Sequence, residues 1–224
     1  METYNDSRLV KAYDHIMSGD LTEAIVLFNE CLTDDPNNVV LLMEVANLYY
    51  ILGEMNKSIA TYKNVLKLKP DSIFVHYRMG VTYYRSTNFV AAVDSFKKII
   101  ESGKNLPMAY MWLGLSYYHL GREDMSINCY KKLVELAPET TMANYYMGIS
   151  LKAAGKYDEA IPFFKKLITD NCLHLSAHYH LGRLYMKDNK FDLAKEQLKE
   201  VLKHDPNNKN ASEMLDYIYD DHKF

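Results

Sequence analysis

Apolar residues along this chain come in paired stretches. Within each stretch they recur three and four residues apart, as one face of an amphipathic helix requires, and the paired pattern returns every 34 residues. The clearest copy places Tyr110, Leu113, Gly114 and Tyr117 in a first helix and Gly121 at a turn. Ser126, Tyr130 and Leu133 follow in a second helix, which Pro138 ends. One period downstream the matching residues are Asn144, Met147, Gly148, Leu151, Gly155, Ala160, Phe164 and Leu167. One period upstream they are His76, Met79, Gly80, Tyr83, Thr87, Ala92, Phe96 and Ile99. The period holds without insertion or deletion. It predicts units at 5–38, 39–72, 73–106, 107–140, 141–174 and 175–208, then a capping helix over 209–219 and a tail, 220–224.

The residues between the stretches fit this division. Gly19, Gly53, Gly121 and Gly155 stand at the turn inside a unit, where a positive φ is expected; Thr87 and Asn189 hold that place in the third and sixth units. Pro36, Pro70, Pro138 and Pro206 end second helices, whereas Lys104 and Cys172 replace the proline and predict looser joints after the third and fifth units. Pro162 falls early in a second helix, where its missing N–H is expected to be tolerated. Ala12, Ala46, Gly80, Gly114, Gly148 and Gly182 on first helices are small, and so are Ala24, Ser58, Ala92, Ser126, Ala160 and Ala194 on second helices. Small residues facing each other let two helices approach closely. Arg8 and Lys11 replace apolar residues on the first helix, which has no preceding neighbour. Ala211, Met214, Leu215, Ile218 and Tyr219 form a stripe suited to covering the sixth unit.

The order aromatic-x2-Leu-Gly-x2-Tyr, then Ala-x3-Phe, then Pro, resembles the tetratricopeptide repeat over about nine tenths of the chain. The resemblance implies an all-α fold: a right-handed α-α superhelix, or solenoid, of six helix-turn-helix repeats plus a C-terminal capping helix. Cys31, Val65, Ile99, Leu133, Leu167 and Val201 stand where the family often has alanine, so the family's curvature is not carried over.

The resemblance also implies a concave groove lined by the second, fifth, sixth, ninth, twelfth and thirteenth residues of each first helix. In the second unit these include Met43, Glu44, Asn47 and Tyr50, and in the third Phe74, Tyr77, Arg78, Val81, Tyr84 and Arg85. The fourth supplies Met108, Met111, Trp112, Leu115, Tyr118 and His119. The fifth supplies Met142, Tyr145, Tyr146, Ile149 and Lys152, and the sixth Tyr179, His180, Arg183 and Met186. A helix apolar on both sides needs covering on both, and packing within the array covers one. The expected function is a non-catalytic scaffold or adaptor that binds an apolar or amphipathic peptide segment of another protein in this groove, centred on units three to five. The alternatives are self-packing of the groove, or a second copy filling it: a homo-oligomer or self-assembling structural scaffold, like the family's magnetosome-associated member. The family's carboxylate clamp is not expected, because of its matching positions Leu9, Tyr13, Glu44, Phe74 and Arg78 only the arginine fits.

Composition narrows the remaining choices. A net charge of −3 speaks against a dedicated nucleic-acid binder. Lys63, Lys97, Lys98, Lys131, Lys132, Lys165, Lys166 and Lys199 form a row on the second helices, read as a solvated outer face; a membrane-facing adaptor is the sharper alternative. The polar start, Met1 to Leu9, predicts no secretory leader, and no uncharged stretch has the length of an integral membrane segment. Cys31, Cys129 and Cys172 make no disulfide framework, which together with the rest predicts a cytoplasmic protein. His174, His178 and His180 lack a completing cysteine or carboxylate, so no metal is expected. With no phosphate loop or nucleophile elbow, neither a cofactor nor an enzymatic activity is expected.

Overall fold

The computed structural model describes residues 6–221; Asn5, at the head of the first predicted unit, and residues 222–224 of the predicted tail lie outside the described residues. Among the described residues the chain is all-α, as expected, with thirteen helices and no strand. They are α1 (Ser7–Ser18), α2 (Leu21–Asp34), α3 (Val39–Ile51), α4 (Met55–Leu68), α5 (Ile73–Arg85), α6 (Phe89–Glu101) and α7 (Pro107–His119). There follow α8 (Glu123–Leu136), α9 (Thr141–Ala153), α10 (Tyr157–Asp170), α11 (Leu175–Lys187), α12 (Phe191–His204) and α13 (Lys209–Asp221). Packing gathers them into two compact bodies, whose described residues are 6–116 and 117–221.

In the N-terminal body each of α1 to α5 packs on the next helix in the chain. Ala12, Phe28, Cys31, Leu41, Val45 and Leu48 join one buried cluster, and Leu42, Ala46, Tyr62, Val65, Val75 and Met79 another. In the C-terminal body the same holds from α8 to α13, around buried Tyr130, Leu151, Phe164, Leu181, Leu198 and Ile218. Ala211, Leu215 and Ile218 of α13 are buried as the stripe predicts, but Tyr219 is 42% exposed, with the Lys195 ammonium 5.5 Å from its ring centroid.

The small residues allow close helix approach. A Cβ added at Gly80 would lie 2.8 Å from the Phe96 ring, one at Gly148 2.9 Å from Phe164, and one at Gly182 2.9 Å from Leu198. Serine replaces alanine where it can bond: Ser58 Oγ donates to the Ala46 carbonyl at 2.8 Å, and the Ser126 and Ser150 hydroxyls meet at 2.9 Å. Side chains cap helix starts as sequence suggests, with Asn38, Asn88 and Asn208 each accepting from the backbone N–H three residues on.

Three sequence features take a specific form in the structure. The joints without proline are closed by other means. Gly103, at φ +76°, donates its N–H to the Ile100 carbonyl after α6, and Asn171 Oδ1 accepts from the Leu173 N–H after α10. Pro162 is the sixth residue of α10, beyond the first turn, so it does remove an intrahelical donor; Asp158, whose carbonyl loses that donor, is exposed to water. Arg8 bridges Asp6 at 2.7 Å and Asp34 at 2.6 Å and so ties the start of α1 to the end of α2.

Thr87 and Asn189 adopt φ +59° and +55°, the left-handed conformation that glycine holds in the other turns. That conformation costs an L-residue about 1–2 kcal/mol, a β-branched one most clearly. Glycine's extra freedom in the unfolded chain offsets part of the gain. Thr87→Gly should therefore stabilise by about 0.5–1 kcal/mol, and Asn189→Gly by less, because asparagine tolerates this region. Thermal melts of the two variants beside wild type check the order.

Candidate interaction surface

On the N-terminal body, α3, α5 and α7 present the face singled out from the sequence. Phe74 is 61% exposed and Met108 41%, and Val40, one period before Phe74 and not singled out, is 64% exposed. The three form a row at the second position of successive first helices; the 34-residue spacing that located Phe74 also points to Val40. On the same helices half-buried rings are held by one another. Trp112 Nε1 donates to the Tyr77 hydroxyl at 3.1 Å, and Tyr84 meets Trp112 edge-on at 5.0 Å. Asn47 Oδ1 accepts from Tyr62 Oη at 2.6 Å and from Arg78 Nη2 at 2.9 Å, while the guanidinium groups of Arg78 and Arg85 lie 5.1 and 4.5 Å from the Tyr50 ring. Burial pushes the Tyr62 hydroxyl up, opposed by its bond to Arg78.

Met43, Asn47, Tyr50, Tyr77, Arg78, Tyr84 and Trp112 are half-buried, so part of each remains on the surface. Met111 and Leu115 are not on it: at 3% and 8% exposure they belong to the interior. The buried stripe of α7 is thus wider than the repeat signature implies. Val81 of α5 is buried in the same way, at 8%. Tyr62, fully buried on a second helix, reaches this face through its hydroxyl, a contribution that the first-helix pattern does not reveal.

On the C-terminal body Met142 is 44% exposed and Arg183 is exposed, while Tyr118, Tyr145, Tyr146, Ile149 and Tyr179 are half-buried. Tyr146 stacks on Tyr130 at 5.7 Å, and Tyr145 stacks on His174 at 5.8 Å. Burial pushes the Tyr145 hydroxyl up. The three histidines separate by role. His174 Nδ1 accepts from the Ala177 N–H at the start of α11, and buried His178 bonds Gln197 Oε1 at 2.8 Å and the Cys172 carbonyl at 3.0 Å. His180 lies among Phe164, Tyr145 and Tyr179 with Lys152 Nζ 3.2 Å from its Nδ1. Among the described residues no group of three or more His, Cys, Asp or Glu is placed to hold a metal ion, and no helix is long and apolar enough to cross a membrane. On the second helices Lys98 and Lys132 pair with Glu101 and Glu135 one turn on, as a solvated face does.

Burial first, and then the charges of Lys152, Arg183 and His174, hold the His180 imidazole at about 3, below its ordinary 6.5. The unfolded chain therefore takes up this proton more readily than the folded one. The contribution is fully present above pH 6.5 and is lost as pH falls from there toward 3. His180→Asn should flatten the acid limb of the stability profile by roughly 2 kcal/mol at pH 4.5, as thermal melts between pH 7 and 4.5 will show.

Family models agree with the pattern. Tetratricopeptide repeat models match residues 107–140 and 151–215, and a TPR repeat model matches residues 46–86. No curated protein matches the sequence. Among solved structures, a tetratricopeptide repeat protein from Parabacteroides merdae aligns with a TM-score of 0.78 at 19% identity, covering 95% of this chain and 84% of its own. YrrB, a TPR protein with an unusual peptide-binding site, aligns with a TM-score of 0.72 at 22% identity, covering 83% of this chain and 96% of its own. MamA aligns with a TM-score of 0.68 at 28% identity, covering 72% of this chain and 88% of its own. From the period, the helix pairs, the left-handed turns and these matches together, the chain belongs to the tetratricopeptide repeat family.

Proposed function

We propose that the chain is a non-catalytic protein-interaction scaffold whose first-helix faces bind an apolar or amphipathic peptide segment of a partner protein. The observation that carries this reading is the row Val40, Phe74 and Met108, exposed apolar side chains on helices whose half-buried aromatics hold one another in place. Rings held in place lose little entropy on contact, and methionine adapts to an irregular partner. YrrB, a fold neighbour, has a peptide-binding site, which is in keeping with such a use of the architecture.

Phe74 is the residue on which to test it, because its exposure lets a charge be introduced without disturbing those rings. Phe74→Glu should lower affinity for the captured partner at least about tenfold and leave the melting temperature nearly unchanged. The check is a native-lysate pull-down with wild type and variant, after measuring the mass of each in solution. Loss only of the protein's own oligomers would replace the adaptor by a self-assembling scaffold. Equal capture by both proteins would remove this row from the binding surface.

A further inference from the structure

We infer that Lys152, His180 and Arg183 on the C-terminal body form a site for a side-chain carboxylate of the bound peptide, so that the partner segment is acidic as well as apolar. The inference rests on the peptide-binding reading for the source of the carboxylate, but the site itself stands on geometry. Lys152 projects from α9 and donates to His180 Nδ1 on α11 at 3.2 Å. Arg183, one turn further along α11, is exposed, with its guanidinium 5.9 Å from the Tyr179 ring.

Lys152 differs from exposed unpaired lysines such as Lys63, Lys97 and Lys131 in being half-buried without a countercharge. Lys57, Lys98, Lys132, Lys156, Lys190, Lys195 and Lys203 each meet a carboxylate within 4.0 Å, whereas among the described residues neither Lys152 nor Arg183 does. The groups facing the cluster are Tyr145 from α9, and His174 and Tyr179 from α11 and its cap; Phe164 of α10 adds a ring without charge. Asp205 shares a shallow cavity with Tyr179 and His180 but forms no ion pair with His180, Lys152 or Arg183.

Like charges near one another, one of them half-buried, raise each other's energy. Burial, then the Arg183 charge, accordingly pushes the Lys152 ammonium down. A carboxylate would supply the missing countercharge and accept from both. The positions are the sixth, ninth and twelfth of their helices, and half-buried Tyr145 and Tyr179 adjoin them, so one ligand meets charge and apolar surface together.

The test uses the full chain labelled with ¹⁵N and two end-blocked peptides of one Leu/Phe pattern, with Glu or Gln at the intervening positions. At low salt the Glu peptide should bind about tenfold more tightly, the worth of one charged hydrogen bond, and shift the His180 ring nitrogens. Lys152→Met/Arg183→Met should erase the preference, read as the ratio of the two peptides' affinities for the same protein. Arg183→Gln alone, at an exposed position, should reduce it without affecting the fold. Equal affinity for both peptides in wild type, or a preference that survives the double variant, overturns the inference while leaving the peptide-binding reading intact. Acetate and inorganic phosphate, titrated alone, separate the two ideas if neither peptide binds. A saturating His180 shift with acetate, lost in the double variant, sustains the anion site and counts against peptide binding. No saturating shift, or saturation with phosphate only, overturns the carboxylate site.

Discussion

Phe96→Ala should lower the unfolding free energy by about 3–5 kcal/mol. The ring is fully buried, meets Tyr77 edge-on at 6.2 Å, and fills the space left by the missing side chain of Gly80. Gly80→Ala alone should cost about 1–3 kcal/mol, although helix propensity by itself favours alanine by about 1 kcal/mol. The steric term wins because the ring that must move is enclosed on every side. In the Phe96→Ala background the added methyl has room, so Gly80→Ala should become neutral or stabilising. Urea unfolding of the four proteins measures this coupling, expected above about 1.5 kcal/mol. Additive costs would show that the ring does not limit the approach of α5 and α6.

Trp112→Glu should destabilise the N-terminal body by about 2–4 kcal/mol. The indole is half-buried, bonded to Tyr77 and packed on Tyr84, so the change removes a donor and a packed ring and leaves a carboxylate in their place. Trp112→Phe keeps most of the packing and loses the hydrogen bond, for about 1 kcal/mol. Phe74→Glu, at 61% exposure, should stay within about 0.5 kcal/mol of wild type. Thermal denaturation of the three variants orders them. If Trp112→Glu melts with wild type, the indole is a free contact and belongs with Phe74 on the binding surface.

The helix pairs were legible in the sequence because the same requirement is written six times. Small residues stand wherever two helices touch, and Thr87 marks the same turn as Gly53 although its own chemistry does not favour it. The outward face was legible as a list of residues, and its inner layering was not. Position on a helix shows that Trp112 and Phe74 share a side; it does not show that Trp112 is clasped by rings one repeat earlier while Phe74 is open. Met111 and Leu115 were assigned to the surface by angle alone and are interior, because apolar packing around α7 extends further round the helix than a two-sided reading allows. Tyr62 escaped notice because its ring answers to the core and only its hydroxyl reaches Asn47. The Lys152 and His180 contact was equally hidden, since two residues 28 apart meet through neighbouring repeats and not through any local motif.

From α1 to α6 and from α8 to α13 each helix packs on the next one in the chain. For these helices the partner is the next in sequence, so the loops that close on the way to the native state are short and their entropic cost is small. A chain of this topology has low contact order and should collapse and order in microseconds to milliseconds, far faster than a sheet protein of equal length. Ordering can start at whichever helix pair forms first and spread to its neighbours. A partner that clamps one pair would then slow the fraying of those beside it, which hydrogen exchange would register as protection that fades with distance along the sequence.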